Sequence, residues 1–496
     1  MTLPVHEKNR RILPRWRDFD ETLDQRELAG EGTQVRPPLD EEYLNEKKVV
    51  WEHEKTITAA AELIGSALVY DKMAAGVEAA RFVLQAQSES PLRCMAEDLL
   101  ALHEGEGKSR EVLLNVERSF FAEKVKNLRM ATRRGPRDPI AWLDLAHAYS
   151  SLGLNDKARR PLDAATALAP SSRFIARGAA RFFVHVGEAE RAAKWLGSRA
   201  NLELDPWILA AEIATTSLTG HTSTHARFAM KSIGRKSWSE SEVTELASAL
   251  GTLELEAGNT KAAKKLFRLS LMRPSDNAVA QAEWAERRGH VLLLEESAFA
   301  TPRAFEASAK RNLSLGKHGR ALDDAWKWLR DEPFSREPAA FGSYVASILL
   351  EDYVEAERML EVSLVANPRD KLLLNNIAFT LASRGQIKKA EYFLGRAAGP
   401  TGDARISAVL VATAGLVAFR RGSLGEGREL YRVAIDLFER QGEGKFALMA
   451  RLFLAREERL AGVLGANDAL VELRARLKGS RDPDLLLLLH RLEQPL

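Results

Sequence analysis

The stretch PIAWLDLAHAYSSLGLNDKARRPLDAATALAP, residues 139–170, constrains the fold more than any other part of the chain. Trp142, Leu145, Ala146 and Tyr149 recur at the three- and four-residue steps of one helix face. Gly153 interrupts them, and Ala158, Leu162 and Ala165 resume the pattern until Pro170 ends it. The spacing predicts two short amphipathic helices joined by a tight turn. Large side chains fill the space between them, while Ala146, Ala158 and Ala165 are small where two backbones must approach. One such pair leaves apolar faces that only neighbouring pairs can bury, so the unit has to recur.

It does recur. Pro302 opens one copy (Phe305, Ala309, Ala321, Pro333), Glu337 the next (Tyr344, Ala356, Leu360, Pro368), and Lys371 a third (Leu374, Ile377, Ala378, Gly385, Ala390, Leu394, Ala397). Ala408 opens a fourth with Gly415, Gly422, Tyr431 and Ala434, in which Gly427 stands where an alanine is usual and is expected to loosen the second helix. Weaker copies run from Arg173 (Phe183, Gly187, Ala192, Leu196) and from Thr244 (Leu250, Gly251, Gly258, Ala263, Phe267).

These residues resemble the tetratricopeptide repeat, whose W-L-G-Y…A-F-A-P pattern has a period of about 34 residues. Residues 139–170 depart from it in carrying Ala146 for glycine and Leu162 for phenylalanine. The resemblance implies an all-α fold, a right-handed superhelical solenoid of antiparallel helix pairs, in which the first helix of each pair lines a concave groove for a partner protein or peptide. The expected organisation is an extended or disordered N-terminal arm over 1–48, degenerate helical repeats over 49–135 and repeats over 139–301 with an irregular interruption near 217–240. Tandem repeats over 302–441 and capping helices over 442–496 complete it.

Composition limits the function classes. With 28% charged residues and a net charge of +3, the chain offers no global electrostatic case for a dedicated nucleic-acid binder. One cysteine, Cys94, can form neither an internal disulfide nor a thiolate zinc site, and in its apolar helical setting a buried structural thiol is expected. The start MTLPVHEKNRR lacks the apolar core of a signal peptide, and the longest apolar run, near 406–419, is too short to span a bilayer. A cytoplasmic location without membrane attachment is the expectation.

Catalytic and cofactor motifs fail on inspection. HEGEGKS, residues 103–109, ends like a phosphate-binding loop, but Leu102 replaces the opening glycine and no strand feeds the turn. A glycine turn with Ser109 capping the next helix is expected instead. His53-Glu54 meets Ile57 where a zinc-binding helix needs a second histidine, and His6-Glu7 and His103-Glu104 fail likewise. His221 and His225 lie one turn apart without a local third ligand, and no G-x-S-x-G elbow occurs. No cofactor, metal or enzymatic activity is expected.

Binding chemistry is then sought in the groove. By the resemblance, the first-helix positions facing it are Arg303, Glu306 and Lys310, then Phe341, Val345 and Ile348, then Asn375, Asn376, Phe379 and Ser383. Asn375 and Asn376 can donate to and accept from a peptide backbone, and the phenylalanines supply apolar area. The alternative is that Phe341 and Phe379 pack between repeats. A clamp for a chaperone's terminal carboxylate is not expected, since only Asn376 matches it and the equivalent earlier positions hold Ala307 and Gly342.

A second reading is association with RNA or DNA. RRILPRWR places Arg10, Arg11, Arg15 and Arg17 around Trp16, a set able to pair phosphates and stack on a base, and ATRRGPR at 131–137 adds another basic turn. A solvated arm and a helix C-terminus with favourable cations account for the same residues. ARFFVHVGEAERA, DPWILAAEIA and AVAQAEWAERR are similar to bacterial repeat proteins associated with PIN-type nucleases, which implies a nuclease as a candidate partner. The expected role is a non-catalytic scaffold or adaptor.

Overall fold

A computed structural model describes residues 1–2, 10–19, 26, 39–69, 72–86, 91–104, 110–289, 294–463 and 466–494. Gly105 to Ser109, His6 and the Cys94 side chain lie outside the described residues, and with them the expectations placed there. Among the described residues every regular element is helical. The chain forms two compact units, one of Lys8–Ala307 and one of Met1–Glu7 with Ser308–Leu496.

In the larger unit, Pro139–Ser151 pairs with Asn155–Leu168, Arg173–His185 with Ala189–Gly197, and Thr244–Glu256 with Thr260–Ser270. Local sequence fixes the ends. The Asp138 carboxylate accepts from the Ile140 N–H and Pro139 occupies the first turn, while Asp205 and Pro206 repeat the device for Pro206–Leu218. Gly153, Gly187 and Gly258 turn between the helices of their pairs with φ of 69°, 81° and 81°, values that cost other residues strain. Ala158 and Ala165 are fully buried where the two backbones meet.

Two boundaries differ from the expected ones. The arm assigned to 1–48 ends earlier, because LDEEYLNEKKVVWEHE forms the helix Leu39–Glu54: strong helix formers follow a proline pair that suits a helix start. The interruption near 217–240 contains a short helix, Ala226–Gly234, which packs against Thr244–Glu256. Its second turn buries only Ala229 and Ser232, too few apolar residues for the period to show in sequence.

In the smaller unit, His318–Asp331, Tyr353–Ala366, Ile387–Ala397 and Leu424–Arg440 are the second helices of successive pairs, and Gly444–Leu460, Ala466–Leu477 and Pro483–Glu493 follow. The first helix Glu337–Tyr344 widens into a π-helical turn, Val345–Leu350, closed by Glu351 in the left-handed region at φ 56°. Arg491 donates to the Ile348 and Leu349 carbonyls that this turn leaves over, at 2.8 and 2.5 Å.

Candidate functional site

Two of the expected groove-facing residues, Glu306 and Asn375, are engaged by the chain's own N-terminal segment. In the larger unit, residues 10–19 run without helix along the first helices of successive pairs. Arg10 reaches Glu306 through Nε and a terminal nitrogen, both at 2.9 Å, and also contacts Gln281. Arg15 joins Glu306 at 2.6 Å and Asp276 at 3.0 Å, and Arg17 reaches Asp276 at 2.6 Å. Arg11 pairs with Glu256 at 2.5 Å.

Trp16 is the apolar anchor. It is buried to 1% exposure, edge-on to His147 and Phe182 with ring centroids 5.0 and 5.8 Å away. Beyond it, Asp18 accepts from Lys124 and stands 3.0 Å from His147 Nδ1, and the Phe19 N–H donates to Asp144 at 3.2 Å. The contacts therefore pass from Glu306 and Asp276 back to Phe182 and Asp144, so the segment runs opposite to the order of the repeats.

Main-chain groups are recognised as well. Asn277 Nδ2 donates to the Leu13 carbonyl at 2.7 Å, and Gln281 Nε2 donates to the Arg10 carbonyl at 3.2 Å. Side-chain amides thus grip an extended backbone, the chemistry expected of Asn375 and Asn376, and supplied in the larger unit by Asn277 and Gln281. Carboxylates complete the recognition. Burial acts to raise the Asp276 carboxyl, yet Arg17 and Arg15 hold it below its ordinary range. Burial likewise opposes ionisation of Asp18, and Lys124 and His147 overcome it, whereas burial and the charge of Asp18 push Asp144 well up.

In the smaller unit the expected groove positions are closed. Asn375 is fully buried and donates to the Met1 carbonyl at 2.8 Å, and Asn376 donates to Ser343 Oγ at 3.3 Å. The Met1 nitrogen lies 2.7 Å from Thr413 Oγ1, and Thr2 shares a 2.9 Å hydrogen bond with Ser347. Neither asparagine offers an open surface, because Met1 and Thr2 already sit against these helices. Phe379 stacks edge-on to Phe453 at 5.4 Å and Phe341 tilts against Trp328 at 6.4 Å, so both pack as core. Val345 and Ile348 are buried in the π-helical turn, and Lys310 is buried over the Trp328 ring at 5.2 Å. Ser383 remains partly exposed, as does Arg303 in the larger unit.

The motif residues stand where a two-helix repeat needs them: Trp142, Leu145 and Ala146 on the first helix, Gly153 at the turn, Ala158 and Ala165 at the crossing, Pro170 after the end. The chain is an all-helical repeat protein built from antiparallel helix pairs. No family model matches the sequence, and no curated protein matches it. Solved structures are similar at low identity. Yeast Tom70 is 13% identical over 89% of this chain and 95% of its own, with a TM-score of 0.33. Cut9 with Hcn1 is 14% identical over 91% and 99%, with a TM-score of 0.34, and a tetratricopeptide repeat protein from Parabacteroides merdae is 15% identical over 55% and 95%, with a TM-score of 0.27.

Several site residues of this helical-repeat chain escaped sequence reasoning: Asp276, Asn277, Gln281 and Thr413. The signal was present as polar residues on otherwise apolar first helices, in SDNAVAQAE for example. At the paired histidines, His225 faces Glu212 at 3.6 Å, and among the described residues no group of three or more metal-ligating side chains assembles. No described helix is long and apolar enough to cross a membrane.

Proposed function

We propose that the protein is a non-catalytic interaction scaffold whose first-helix surface binds an extended, arginine-bearing peptide segment with a buried aromatic anchor. Residues 10–19 are the resident example of that ligand. One observation carries the reading: buried carboxylates and amides from the helices Asp276–Gly289 and Phe305–Ser314 converge on the side chains and main-chain carbonyls of a single extended segment of chain. Side-chain pockets for Arg10, Arg15, Trp16 and Arg17 supply specificity, and amide contacts to Leu13 and Arg10 supply grip that is independent of side chain. A phosphate backbone at these arginines is not favoured, because it would have to displace Asp276 and Glu306.

The test uses the intact chain with Trp16→Ala and Arg17→Ala, which weakens the tethered segment and leaves the receiving helices unchanged. A labelled peptide of residues 10–19 is expected to bind this variant at least ten times more tightly than it binds the parent, whose own segment competes at high effective concentration. Equal binding to both, or loss of helical content in the variant, would make the segment a fixed part of the core rather than a ligand.

A further inference from the structure

The second helices of the larger unit present a charge pattern that the peptide groove does not use. Ala226–Gly234 and Thr260–Ser270 both pack against Thr244–Glu256. On the first, Arg227 and Lys231 are exposed, and Arg235 continues the four-residue step just past its end. On the second, Lys261, Lys264, Lys265 and Arg268 are exposed at three- and four-residue steps, and Lys236 and Arg273 lie exposed beyond the two helix ends. None of these cations makes an ion pair with a described carboxylate.

What sets these two helices apart is the absence of acid. ARFAMKSIG and TKAAKKLFRLS contain no Asp or Glu. The other second helices interleave their cations with carboxylates, as Asp156 and Asp163 do on Asn155–Leu168, Glu190 on Ala189–Gly197 and Glu391 on Ile387–Ala397. The carboxylates between the two helices in sequence are mostly engaged elsewhere: Glu242 accepts from Ser239, Glu254 from Asn259, and Glu256 pairs with Arg11. Only Glu240 is a free exposed acid in the adjoining loop. Like charges at four-residue steps repel, which works against helix stability, and no ion pair among the described residues offsets it.

We propose that this acid-free face binds the phosphodiester backbone of nucleic acid. Cations spread over two helices that flank the same helix, Thr244–Glu256, match a polyanion of regularly spaced charge, whose bound counterions are released on contact. A membrane surface fits poorly, because across residues 226–273 Met272 is the single large hydrophobic exposed to solvent and no apolar row is available to enter a bilayer. The surface is separate from the arginines of residues 10–17, so the proposal stands or falls independently of the peptide groove.

The test measures anisotropy of a labelled 20-nucleotide single-stranded RNA and a labelled 20-base-pair DNA duplex with the intact protein, across about 50 to 200 mM salt. At least one probe is expected to bind with micromolar affinity at low salt, with affinity falling steeply as salt rises. Lys264→Glu with Lys265→Glu, and separately Arg227→Glu with Lys231→Glu, should each weaken binding at least tenfold and flatten the salt slope by roughly two. Lys388→Glu with Lys389→Glu makes the same change of net charge on an acid-containing helix and should alter binding less than twofold. Equal losses in all three variants would reduce the effect to net charge and overturn the site. Binding of anionic vesicles or polyglutamate with neither nucleic-acid probe bound would overturn it too, as would no binding at all. Circular dichroism and melting temperature, expected to be unchanged, confirm that each variant is folded.

Discussion

Gly178 leaves the space into which Trp16 fits: a Cβ at that position would stand 3.0 Å from Trp16 Cδ1 and 3.0 Å from Leu143 Cδ2. Gly178 lies inside the helix Arg173–His185, where alanine would ordinarily add about 0.5–1 kcal/mol of stability. Crowding against the indole is expected to cancel that gain for Gly178→Ala and to reverse it for Gly178→Val, with overpacking costs of roughly 1–3 kcal/mol. Trypsin reports the outcome. Cleavage after Arg15 and Arg17 should accelerate at least tenfold in the valine variant, and unchanged cleavage would mean that Trp16 does not depend on this gap.

Glu306 holds two arginines at once, Arg10 at 2.9 Å and Arg15 at 2.6 Å, with both sides of each pair largely buried. Glu306→Gln keeps the shape and removes the charge, leaving two guanidinium groups to share what remains. A loss on the order of 3 kcal/mol in the docking of residues 10–19 is expected, since removing one partner strands a buried charge. Hydrogen exchange of the Leu13 to Phe19 amides measures it, and protection equal to the parent would show that Asp276 suffices alone.

The acid dependence follows from Asp276. Its carboxyl is held below the ordinary value of about 3.9 by Arg17 and Arg15 against the opposing effect of burial. A depressed carboxylate contributes stability that is complete above its unfolded value and disappears as pH falls through the folded one. The parent should therefore lose stability progressively below about pH 5, and Asp276→Asn should be less stable at neutral pH with a shallower decline in that window. Urea midpoints from pH 6 to pH 2.5 decide it, and parallel curves would remove Asp276 from the ion-pair network.

The repeat itself was legible because it is written in local sequence: Trp142, Gly153, Ala158 and Pro170 set helix, turn, crossing and stop within one short stretch. The occupied groove was not legible. Arg10 and Glu306 are separated by 296 positions, and no periodicity announces that an arginine in an irregular segment will meet a carboxylate that far away. Phe379 shows a second limit. An aromatic on a first helix reads equally well as groove or as core, and only the edge-on contact with Phe453 separates the two.

That contact has a measurable consequence. Phe379 is 1% exposed, so Phe379→Ala should destabilise the smaller unit by about 3–5 kcal/mol through lost burial and the cavity left behind. A melting temperature equal to the parent's would return Phe379 to the surface of a binding groove.

Gly427 looks like a defect in sequence, since it stands where this type of repeat carries alanine, and it reads as a site where Gly427→Ala would gain helix propensity of about 1 kcal/mol. The packing reverses that expectation. A Cβ at Gly427 would lie 2.5 Å from Phe419 Cδ2 and 3.0 Å from the Gly415 carbonyl oxygen, and one at Gly415 would lie 3.1 Å from the Gly427 carbonyl. Two glycines therefore let Ala404–Arg420 and Leu424–Arg440 pack backbone to backbone. Phe419 could rotate away at some cost, but the Gly415 carbonyl belongs to a helix and cannot. Gly427→Ala is expected to lower stability by roughly 1–3 kcal/mol despite its better propensity. If it raises the melting temperature instead, the two helices have room to separate, and the glycine pair is not what sets their distance.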